Sequence, residues 1–187
     1  VMYYKFPYWY WNNGVDDKWI NKLHKVAKKQ KLREAKVGDK LEVDDKMRSS
    51  NIAFLDEPWI HQTLHSFLAK SNEKAGWNLE WFRTEQVQYT EYLLNQFYDY
   101  HVDCHVIPTK NKRQRKLSAV ISLNDSSEYT GGTFKMMISP QEIREVPELK
   151  KKGTVIVFPS TTWHKVEPVT KGKRYSLVAW AEGFDFR

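Results

Sequence analysis

Two stretches in the first half of the chain carry apolar residues at helical spacing. Asp16 and Asp17 stand where side chains cap a helix N-terminus, and the residues after them predict an amphipathic helix of about three to four turns. The second helix is expected to begin around Asp56 as its cap, with Pro58 in an early helical position, and to stop at Gly76. The apolar stripes are Trp19, Ile20, Leu23, Val26 and Ala27 in the first helix, and Ile60, Leu64, Phe67 and Leu68 in the second.

From Gln86 onward the pattern changes to short β-rich runs separated by turn formers such as Gly131-Gly132. About seven strands without intervening helices favour an antiparallel sandwich or jelly roll. The two helices would cover one face of it, which gives an α+β, mainly β fold. The predicted strands span residues 86–92, 97–107, 117–123, 132–138, 154–158, 164–166 and 174–181, with a further short strand over 37–43.

Length and composition indicate one domain with a conventional core. The chain has 187 residues, 41% of them hydrophobic, and its mean hydropathy is −0.69. No apolar run approaches the roughly 20 residues that cross a membrane, and the aromatic segment 1–11 lacks the features of a signal peptide. A single cysteine, Cys104, excludes an internal disulfide framework. We therefore expect a cytoplasmic protein that does not associate with membranes.

The net charge of +7 raises the question of a nucleic-acid partner. The lysines of the first predicted helix are explained more simply as its solvated face. A second basic cluster falls in a predicted loop, residues 109–116, which with residues 139–152 would flank a substrate groove. Nucleic acid is therefore an alternative that the charge pattern does not favour. The helix lysines are Lys18, Lys22, Lys25, Lys28, Lys29 and Lys31, and the loop cluster is Lys110, Lys112, Arg113, Arg115 and Lys116.

The most informative stretch for chemistry is His101-Val102-Asp103. On a strand, residues two apart project from the same face, so His101 and Asp103 can converge on a metal ion. His164, at the start of another predicted strand, is the best third ligand. Two histidines and one carboxylate leave positions open, as in non-haem Fe(II) oxygenases. His105 shares this face, but it would lie about 6–7 Å beyond Asp103, so we expect it to be pocket wall.

Arg174 opens the last predicted strand, and a two-residue period places Ser176, Val178 and Trp180 on its face. If that face points inward, a permanently charged guanidinium lies in the pocket near the metal. Such a group needs an anion, and a carboxylate matches its planar fork.

Together these segments resemble the iron- and 2-oxoglutarate-dependent dioxygenases, in particular their prolyl-4-hydroxylase-like branch. The resemblance covers about residues 86–183, roughly half of the chain. Residues 48–55 are similar, less specifically, to the arm that precedes the core in bacterial and viral members. The matching residues, in order, are Tyr92, Tyr98, His101, Asp103, Gly131-Gly132, Phe158, His164, Val166, Pro168, Arg174, Tyr175 and Trp180.

The resemblance implies a double-stranded β-helix, with residues 1–85 as arm and supporting helices and 86–184 as the catalytic core of a single domain, 1–187. It implies that His101, Asp103 and His164 bind Fe(II) and that Arg174 pairs with the distal carboxylate of 2-oxoglutarate; these four residues form the catalytic set. Tyr92 would help to orient 2-oxoglutarate, with Tyr89 as the alternative. Tyr98 and Trp180 would line the substrate pocket.

The activity implied by the resemblance is hydroxylation of a prolyl residue in a peptide or protein, with O2 consumed, succinate and CO2 released, and ascorbate as reductant. An oxygenase of the same superfamily acting on nucleic acid or on a free small molecule is one alternative. Nucleic-acid demethylases of the superfamily carry a second arginine along the last core strand, and residues 175–180 contain none. A non-catalytic, metal-binding cupin-like interaction protein is the alternative from another class, and it would have no use for a buried Arg174.

Overall fold

A computed structural model describes residues 4–35, 46–105 and 112–185 of the protein. The predicted strand over 37–43 lies outside these ranges. Neither helix in the described part of the chain has the length and apolarity of a membrane span.

The first helix, α1 (Asp17–Ala27), forms where its apolar spacing predicts it. Asp16 caps it, because the Asp16 Oδ1 atom accepts a hydrogen bond from the Trp19 backbone N–H at 2.8 Å. Ile20 and Leu23 are fully buried. The predicted amphipathic helix and its cap are confirmed.

The second helix, α2 (Pro58–Lys74), starts at the expected proline, but its cap differs from the prediction. Glu57 holds the cap position and makes no side-chain capping bond. The prediction of Asp56 as cap is wrong, because its carboxylate is hydrogen-bonded to His61 Nε2 at 2.8 Å instead. Gly76, with φ +70°, follows the helix as expected and takes a conformation that favours glycine.

Fifteen strands lie in the described ranges, and every strand pairing among them is antiparallel. They are β1 (Trp9–Trp11), β2 (Arg33–Glu34), β3 (Arg48–Ser49), β4 (Asn51–Leu55), β5 (Arg83–Thr84), β6 (Val87–Tyr92), β7 (Phe97–His101), β8 (Arg113–Ser122), β9 (Tyr129–Gly131), β10 (Phe134–Ser139), β11 (Glu142–Glu145), β12 (Val155–Pro159), β13 (His164–Val166), β14 (Val169–Gly172) and β15 (Arg174–Phe184).

Two main sheets build the fold. The larger has the order β1-β12-β8-β15-β6-β4-β2, with β5 added at β15, and the smaller has the order β11-β10-β13-β7-β3. Strands β14 and β9 form a separate pair. The predicted mainly β fold of jelly-roll type is confirmed.

Two apolar clusters show which sides of the sheets are covered. In the first, α1 and α2 pack on the larger sheet, where Ile20 and Leu64 join Leu117 and Ala179. The second lies between the sheets and includes Ile156, Phe158, Phe134, Met136 and Val166. Because side chains alternate along a strand, neighbouring residues of β12 contribute to both clusters. The helices thus cover one face of the larger sheet, and the other face forms the interior with the smaller sheet.

Several strand bounds differ from the prediction. The run 97–107 is a strand only as far as His101, and residues 106–107 lie outside the described ranges. Residues 113–116, expected in a loop, belong to β8, because they pair with β15 as far as Phe184. The segment 139–152, also expected to be a loop, contains β11 and a 3₁₀ helix over Pro147–Lys150. All four residues of β11 are exposed, so no hydrophobic alternation marks it in the sequence.

Candidate active site

The smaller sheet brings the two predicted histidine ligands together. His101 ends β7 and His164 begins β13, and the two are direct cross-strand partners. Asp103 does not follow on the same strand, so the expectation that a strand period places it beside His101 is wrong. The chain bends after His101, and the backbone N–H groups of Asp103 and Cys104 both donate to the Ser160 carbonyl oxygen at 3.0 Å. This bend turns the Asp103 carboxylate toward the histidines.

The three side chains converge on one point. Asp103 Oδ1 lies 3.7 Å from His101 Nε2, and Asp103 Oδ2 lies 3.7 Å from His164 Nε2. One nitrogen or oxygen atom from each of the three residues lies within 4.8 Å of the others. All three residues are less than a tenth exposed. Two nitrogens and one carboxylate at these distances suit a first-row divalent metal ion.

Backbone carbonyl groups orient both histidine rings. His101 Nδ1 lies 2.8 Å from the Asp99 carbonyl oxygen, and His164 Nδ1 lies 2.9 Å from that of Thr162. A carbonyl oxygen only accepts, so each Nδ1 carries a hydrogen, and Nε2 is the ring atom that faces the centre. Metal-binding histidines are held in this way by the hydrogen bond of their other nitrogen.

The electrostatics of the cluster favour the protonation states that a metal requires. Burial and then the neighbouring His164 lower the pKa of His101, which keeps its ring neutral. Burial alone would raise the pKa of Asp103, but His164, His101, Arg115 and the Ser118 hydrogen bond outweigh it and lower that pKa. The cluster is therefore a neutral imidazole beside an ionised carboxylate, as metal binding needs.

Arg174 lies at the other end of the same cleft, at the start of β15. It is 3% exposed, its guanidinium lies 5.4 Å from the Tyr92 ring centre, and its Nη1 is 3.5 Å from Ser176 Oγ. No carboxylate forms an ion pair with it within the described ranges. A Cβ atom on Gly132, which has φ +60°, would lie 2.8 Å from Arg174 Cδ. Glycine at this position therefore gives the arginine stem its room.

One cleft unites the predicted site residues. Its lining includes the three candidate ligands together with Arg174, Tyr92, Tyr98 and Trp180. Ser176 and Val178, which lie between Arg174 and Trp180 on β15, also line it, as the strand period predicts. Tyr89 does not reach the cleft, because its hydroxyl lies 2.9 Å from His24 Nδ1 toward α1. The expectation that His105 is pocket wall is wrong, since its backbone is bound to the Gln114 amide outside the cleft.

Sequence reasoning missed Arg48, which enters the cleft from β3. Its guanidinium lies 4.4 Å from the Tyr98 ring centre, and Tyr98 in turn stacks on His101 with ring centres 3.4 Å apart. Arg48 Nε donates to Ser50 Oγ at 2.8 Å. The similarity of residues 48–55 to the arm of known dioxygenases was the available signal, but it assigned no role to the arginine.

Arg115 was assigned to a basic cluster in a predicted loop, and in the structure it lies on β8 and is partly buried. Its Nε and Nη2 atoms donate to the two carboxylate oxygens of Glu85 at 2.6 and 2.7 Å. The guanidinium carbon also lies 3.9 Å from the Trp180 ring centre. The Glu85–Arg115 pair therefore supports the indole that lines the cleft.

Two hydrogen-bond donors in the cleft lack partners. Within the ranges that the structure describes, three buried side-chain polar atoms have no hydrogen-bond partner: Arg48 Nη2, Trp180 Nε1 and Thr154 Oγ1. The two donors belong to cleft-lining residues, and Thr154 does not. A buried donor without a partner costs about 1–3 kcal/mol, so these groups indicate a ligand with acceptor atoms.

The family model described as the 2OG-Fe(II) oxygenase superfamily matches residues 87–182. The chain belongs to this superfamily. The match spans half of the chain and contains His101, Asp103, His164 and Arg174. The family predicted from the sequence is therefore confirmed, and with it an oxygenase class that uses Fe(II) and 2-oxoglutarate.

Curated relatives are PKHD-type hydroxylases. The chain is 32% identical over 100 residues to one from Pseudoalteromonas atlantica, covering 51% of this chain and 42% of that protein. It is 36% identical over 89 residues to one from Synechococcus, covering 46% and 36%. The chain thus matches less than half the length of these relatives.

Solved structures of prolyl hydroxylases share the fold. A viral collagen prolyl hydroxylase from Paramecium bursaria Chlorella virus-1, in complex with 2OG, has a TM-score of 0.73 at 18% identity, covering 96% of this chain and 97% of that one. A prolyl hydroxylase from Trichoplax adhaerens, in complex with a hypoxia inducible factor peptide fragment, has a TM-score of 0.75 at 16% identity, covering 97% and 84%. At these identities the likeness is one of fold.

Proposed function

We propose that the protein is an Fe(II)- and 2-oxoglutarate-dependent dioxygenase that hydroxylates a prolyl residue at C4 in a peptide or protein. The observation that carries this proposal is one cleft that holds the His101/Asp103/His164 cluster, Arg174 and two buried donors. Among the described residues, Arg174 has no acidic partner and the two donors have no hydrogen-bond partner. The overall reaction converts a C–H bond, O2 and 2-oxoglutarate into C–OH, succinate and CO2. Ascorbate would keep the iron reduced.

The donor set of the cluster fits Fe(II). His101 and His164 would bind through Nε2, and Asp103 would supply a carboxylate oxygen. When bound, the iron couples the oxidation of 2-oxoglutarate by O2 to insertion of one oxygen atom into a substrate C–H bond. The carbonyl groups behind both rings orient them so that Nε2 faces the centre.

Arg174 and its surroundings fit the distal carboxylate of 2-oxoglutarate. A guanidinium buried without an acid partner calls for an anion, and its fork pairs best with a carboxylate. Tyr92, the cross-strand partner of Arg174, lines the same end of the cleft and would orient the co-substrate. Tyr89 points away toward His24, which favours Tyr92 of the two candidates.

The cleft walls favour an apolar target residue that is shielded from water. Val120, Phe134, Val166 and Val178 line the cleft between the metal cluster and Arg174. Excluding water from a strong oxidant prevents side reactions. The mostly apolar wall suits a saturated ring such as that of proline better than a charged target atom.

The unpartnered donors support a peptide as substrate. Every peptide unit offers a carbonyl oxygen, so a peptide that enters the cleft would supply acceptors for Arg48 Nη2 and Trp180 Nε1. The prolyl hydroxylases of similar fold are consistent with this assignment, and one of them was solved with a peptide fragment bound. Tyr98 and Trp180 would form the ring-contacting walls.

We also propose that the chain acts as a single domain, with residues 1–85 supporting the core at 86–184. The arm and helices are joined to the core through shared sheets, since β1 pairs with β12 and β4 pairs with β6. A cytoplasmic location, expected from the single cysteine, stays a prediction.

Incubation with proline-containing peptides, Fe(II), 2-oxoglutarate and ascorbate tests the substrate class. We expect succinate release to depend on the peptide, and fragmentation mass spectrometry to locate one added oxygen on proline. Amino-acid analysis against 4-hydroxyproline standards identifies the position. Turnover with nucleic acid or a free amino acid, and none with any proline peptide, would reject the prolyl assignment but retain the dioxygenase. Metal binding without any 2-oxoglutarate turnover would support the cupin-like alternative.

A further inference from the structure

The carboxylate of Asp103 rests against two buried serines. Ser118 Oγ lies 2.7 Å from Asp103 Oδ2, and Ser118 Oγ lies 2.9 Å from Ser160 Oγ. Both serines are fully buried. They come from neighbouring strands of the larger sheet, Ser118 from β8 and Ser160 from the residue after β12. The larger sheet therefore supports a ligand that the smaller sheet supplies.

The direction of these hydrogen bonds follows from chemistry. An ionised carboxylate accepts only, so the Ser118 hydroxyl donates to Asp103 Oδ2. Because its hydrogen is then used, Ser118 accepts from Ser160, whose hydroxyl donates to it. The same Ser160 accepts the Asp103 and Cys104 backbone N–H groups through its carbonyl oxygen. Ser160 thus fixes both the backbone and, through Ser118, the carboxylate of the ligand.

Backbone hydrogen bonds hold both serines in place. Ser118 has Phe158 and Trp180 as its cross-strand partners, so its backbone is held on both sides. Ser160 donates its backbone N–H to the Lys116 carbonyl oxygen at 3.0 Å. Ser118 therefore lies on a strand paired on both sides, and Ser160 is the turn residue that follows β12 and is bound to β8, which preorganises the pair of hydroxyls.

The hydrogen bond affects the two carboxylate oxygens unequally. Oδ2 is engaged by Ser118, whereas Oδ1 has no hydrogen-bond partner among the described residues apart from its approach to His101. A carboxylate without such a restraint can bind a metal ion through both oxygens. A chelating Asp103 would take a coordination position that the two-histidine, one-carboxylate arrangement leaves open for other ligands.

We propose that Ser118, supported by Ser160, is a positioning residue that keeps Asp103 a one-oxygen ligand through Oδ1 and so preserves the open positions of the metal. This inference rests on the proposed dioxygenase function, because the preserved positions are those that 2-oxoglutarate and O2 would occupy. It assigns a role to two serines that touch neither the proposed co-substrate nor the metal.

The test uses the full chain loaded with Co(II), which reports its coordination number through its visible absorption. For Ser118→Ala we expect an altered spectrum, because a chelating carboxylate takes a coordination position from another ligand. The Kd for 2-oxoglutarate, measured by calorimetry, should rise about tenfold. The Co(II) affinity should fall less than the 2-oxoglutarate affinity, because no ligand is removed.

Two further variants separate positioning from general damage. Ser118→Thr keeps the hydroxyl and should retain both the spectrum and the 2-oxoglutarate affinity. Ser71→Ala removes another fully buried serine hydroxyl, one that accepts from Trp11 Nε1 at 2.9 Å on α2. Its thermal stability should fall like that of Ser118→Ala, with the cobalt spectrum unchanged. If Ser118→Ala does not fold, Ser160→Ala provides the same comparison with a smaller shift of the same sign.

The outcomes are distinguishable. A Ser118→Ala spectrum equal to that of the unchanged protein, with equal 2-oxoglutarate affinity, overturns the proposal. So does a parallel loss of Co(II) and 2-oxoglutarate affinity with an unaltered spectrum, since that would be a structural effect. If the unchanged cobalt protein binds no 2-oxoglutarate, the proposed function fails, and the absorption comparison still decides whether the serine controls the carboxylate.

Discussion

Two groups of residues in the cleft differ in how their polar atoms are satisfied: the candidate ligands His101, Asp103 and His164, here called the metal end, and the proposed substrate contacts Arg48 and Trp180, here called the substrate end. At the metal end, His101 and His164 donate to carbonyl oxygens and Asp103 accepts from Ser118. At the substrate end, Arg48 Nη2 and Trp180 Nε1 have no partner among the residues that the structure describes. The protein supplies the hydrogen-bond partners at the metal end, whereas the donors at the substrate end need acceptors from a ligand.

This difference matches the hydrogen-bonding capacity of what each end is proposed to bind. A metal ion offers no hydrogen bonds, so its ligands must be oriented entirely by the protein around them. A peptide brings its own carbonyl oxygens and can satisfy buried donors that have no partner among the described residues. In the free protein, the donors whose burial is unfavourable therefore lie where a bound substrate can form hydrogen bonds with them.

The largest effect is expected at the metal end. His164→Ala removes one of three candidate ligands, and the affinity for Fe(II) or Co(II) should fall more than about 100-fold, beyond the loss usual for outer-shell changes. Metal titration of the purified variant measures it. His65→Ala is the matched control, because this α2 histidine packs on Trp81 outside the cleft. An unchanged metal affinity in His164→Ala would remove this residue from the ligand set.

Arg174→Ala should separate the co-substrate from the metal. Loss of a charge-assisted pair costs about 1.5–3 kcal/mol, which is about 10- to 150-fold in the Kd for 2-oxoglutarate. Metal affinity should be retained, because Arg174 contacts no ligand atom. Arg174→Lys keeps the charge without the fork and should recover part of the affinity. Equal 2-oxoglutarate affinity in the unchanged and Ala proteins would refute the pairing.

At the substrate end, Arg48→Met should weaken substrate binding without lowering the stability of the fold. Removing an unpartnered buried donor relieves a cost of about 1 kcal/mol, so the free energy of unfolding should stay level or rise, while the KM for a peptide rises about tenfold. Arg115→Met is the contrasting variant, since it leaves Glu85 unpaired and should lower the melting temperature. If Arg48→Met destabilises the free protein as much as Arg115→Met does, the contrast between the ends is wrong.

The smallest effect concerns pH. Burial lowers the pKa of His101 and of His24 in the folded protein, whereas the unfolded chain takes up these protons near pH 6.5. Below that pH the unfolded state binds more protons, so the free energy of unfolding of metal-free protein should fall as pH drops from 7 to 5. Chemical denaturation at several pH values measures the slope. His24→Gln should reduce the slope, and an unchanged slope would contradict its part in it.

Sequence reasoning selected the three residues that converge at the metal end, because two of them are close in the chain and the third opens a predicted strand. His101 and Asp103 are two residues apart, and strand alternation alone places Arg174, Ser176, Val178 and Trp180 on one face. Even there the reason given for Asp103 was wrong. A bend, held by the carbonyl oxygen of Ser160, aims the carboxylate, and no local pattern encodes a hydrogen bond to a residue 57 positions later.

The substrate end was harder to predict, because its residues are distant in the chain and their contacts are tertiary. Arg48 and Arg115 look in sequence like solvated basic residues, and only the structure stacks one on Tyr98 and pairs the other with Glu85. Likewise, an edge strand such as β11, with exposed charges at all four positions, leaves no hydrophobic period to detect.

The position of β15 between β8 and β6 has a consequence for how the protein is synthesised. Until β15 leaves the ribosome, β8 and β6 each present an unpaired edge, the kind of surface through which chains aggregate. Pairing a strand with partners so distant in sequence is also slow. The chain loses the entropy of closing the loop before the stabilising contacts between the strands form. A nascent chain that stops short of residue 174 would therefore lack the centre of its larger sheet and be a natural client for chaperones.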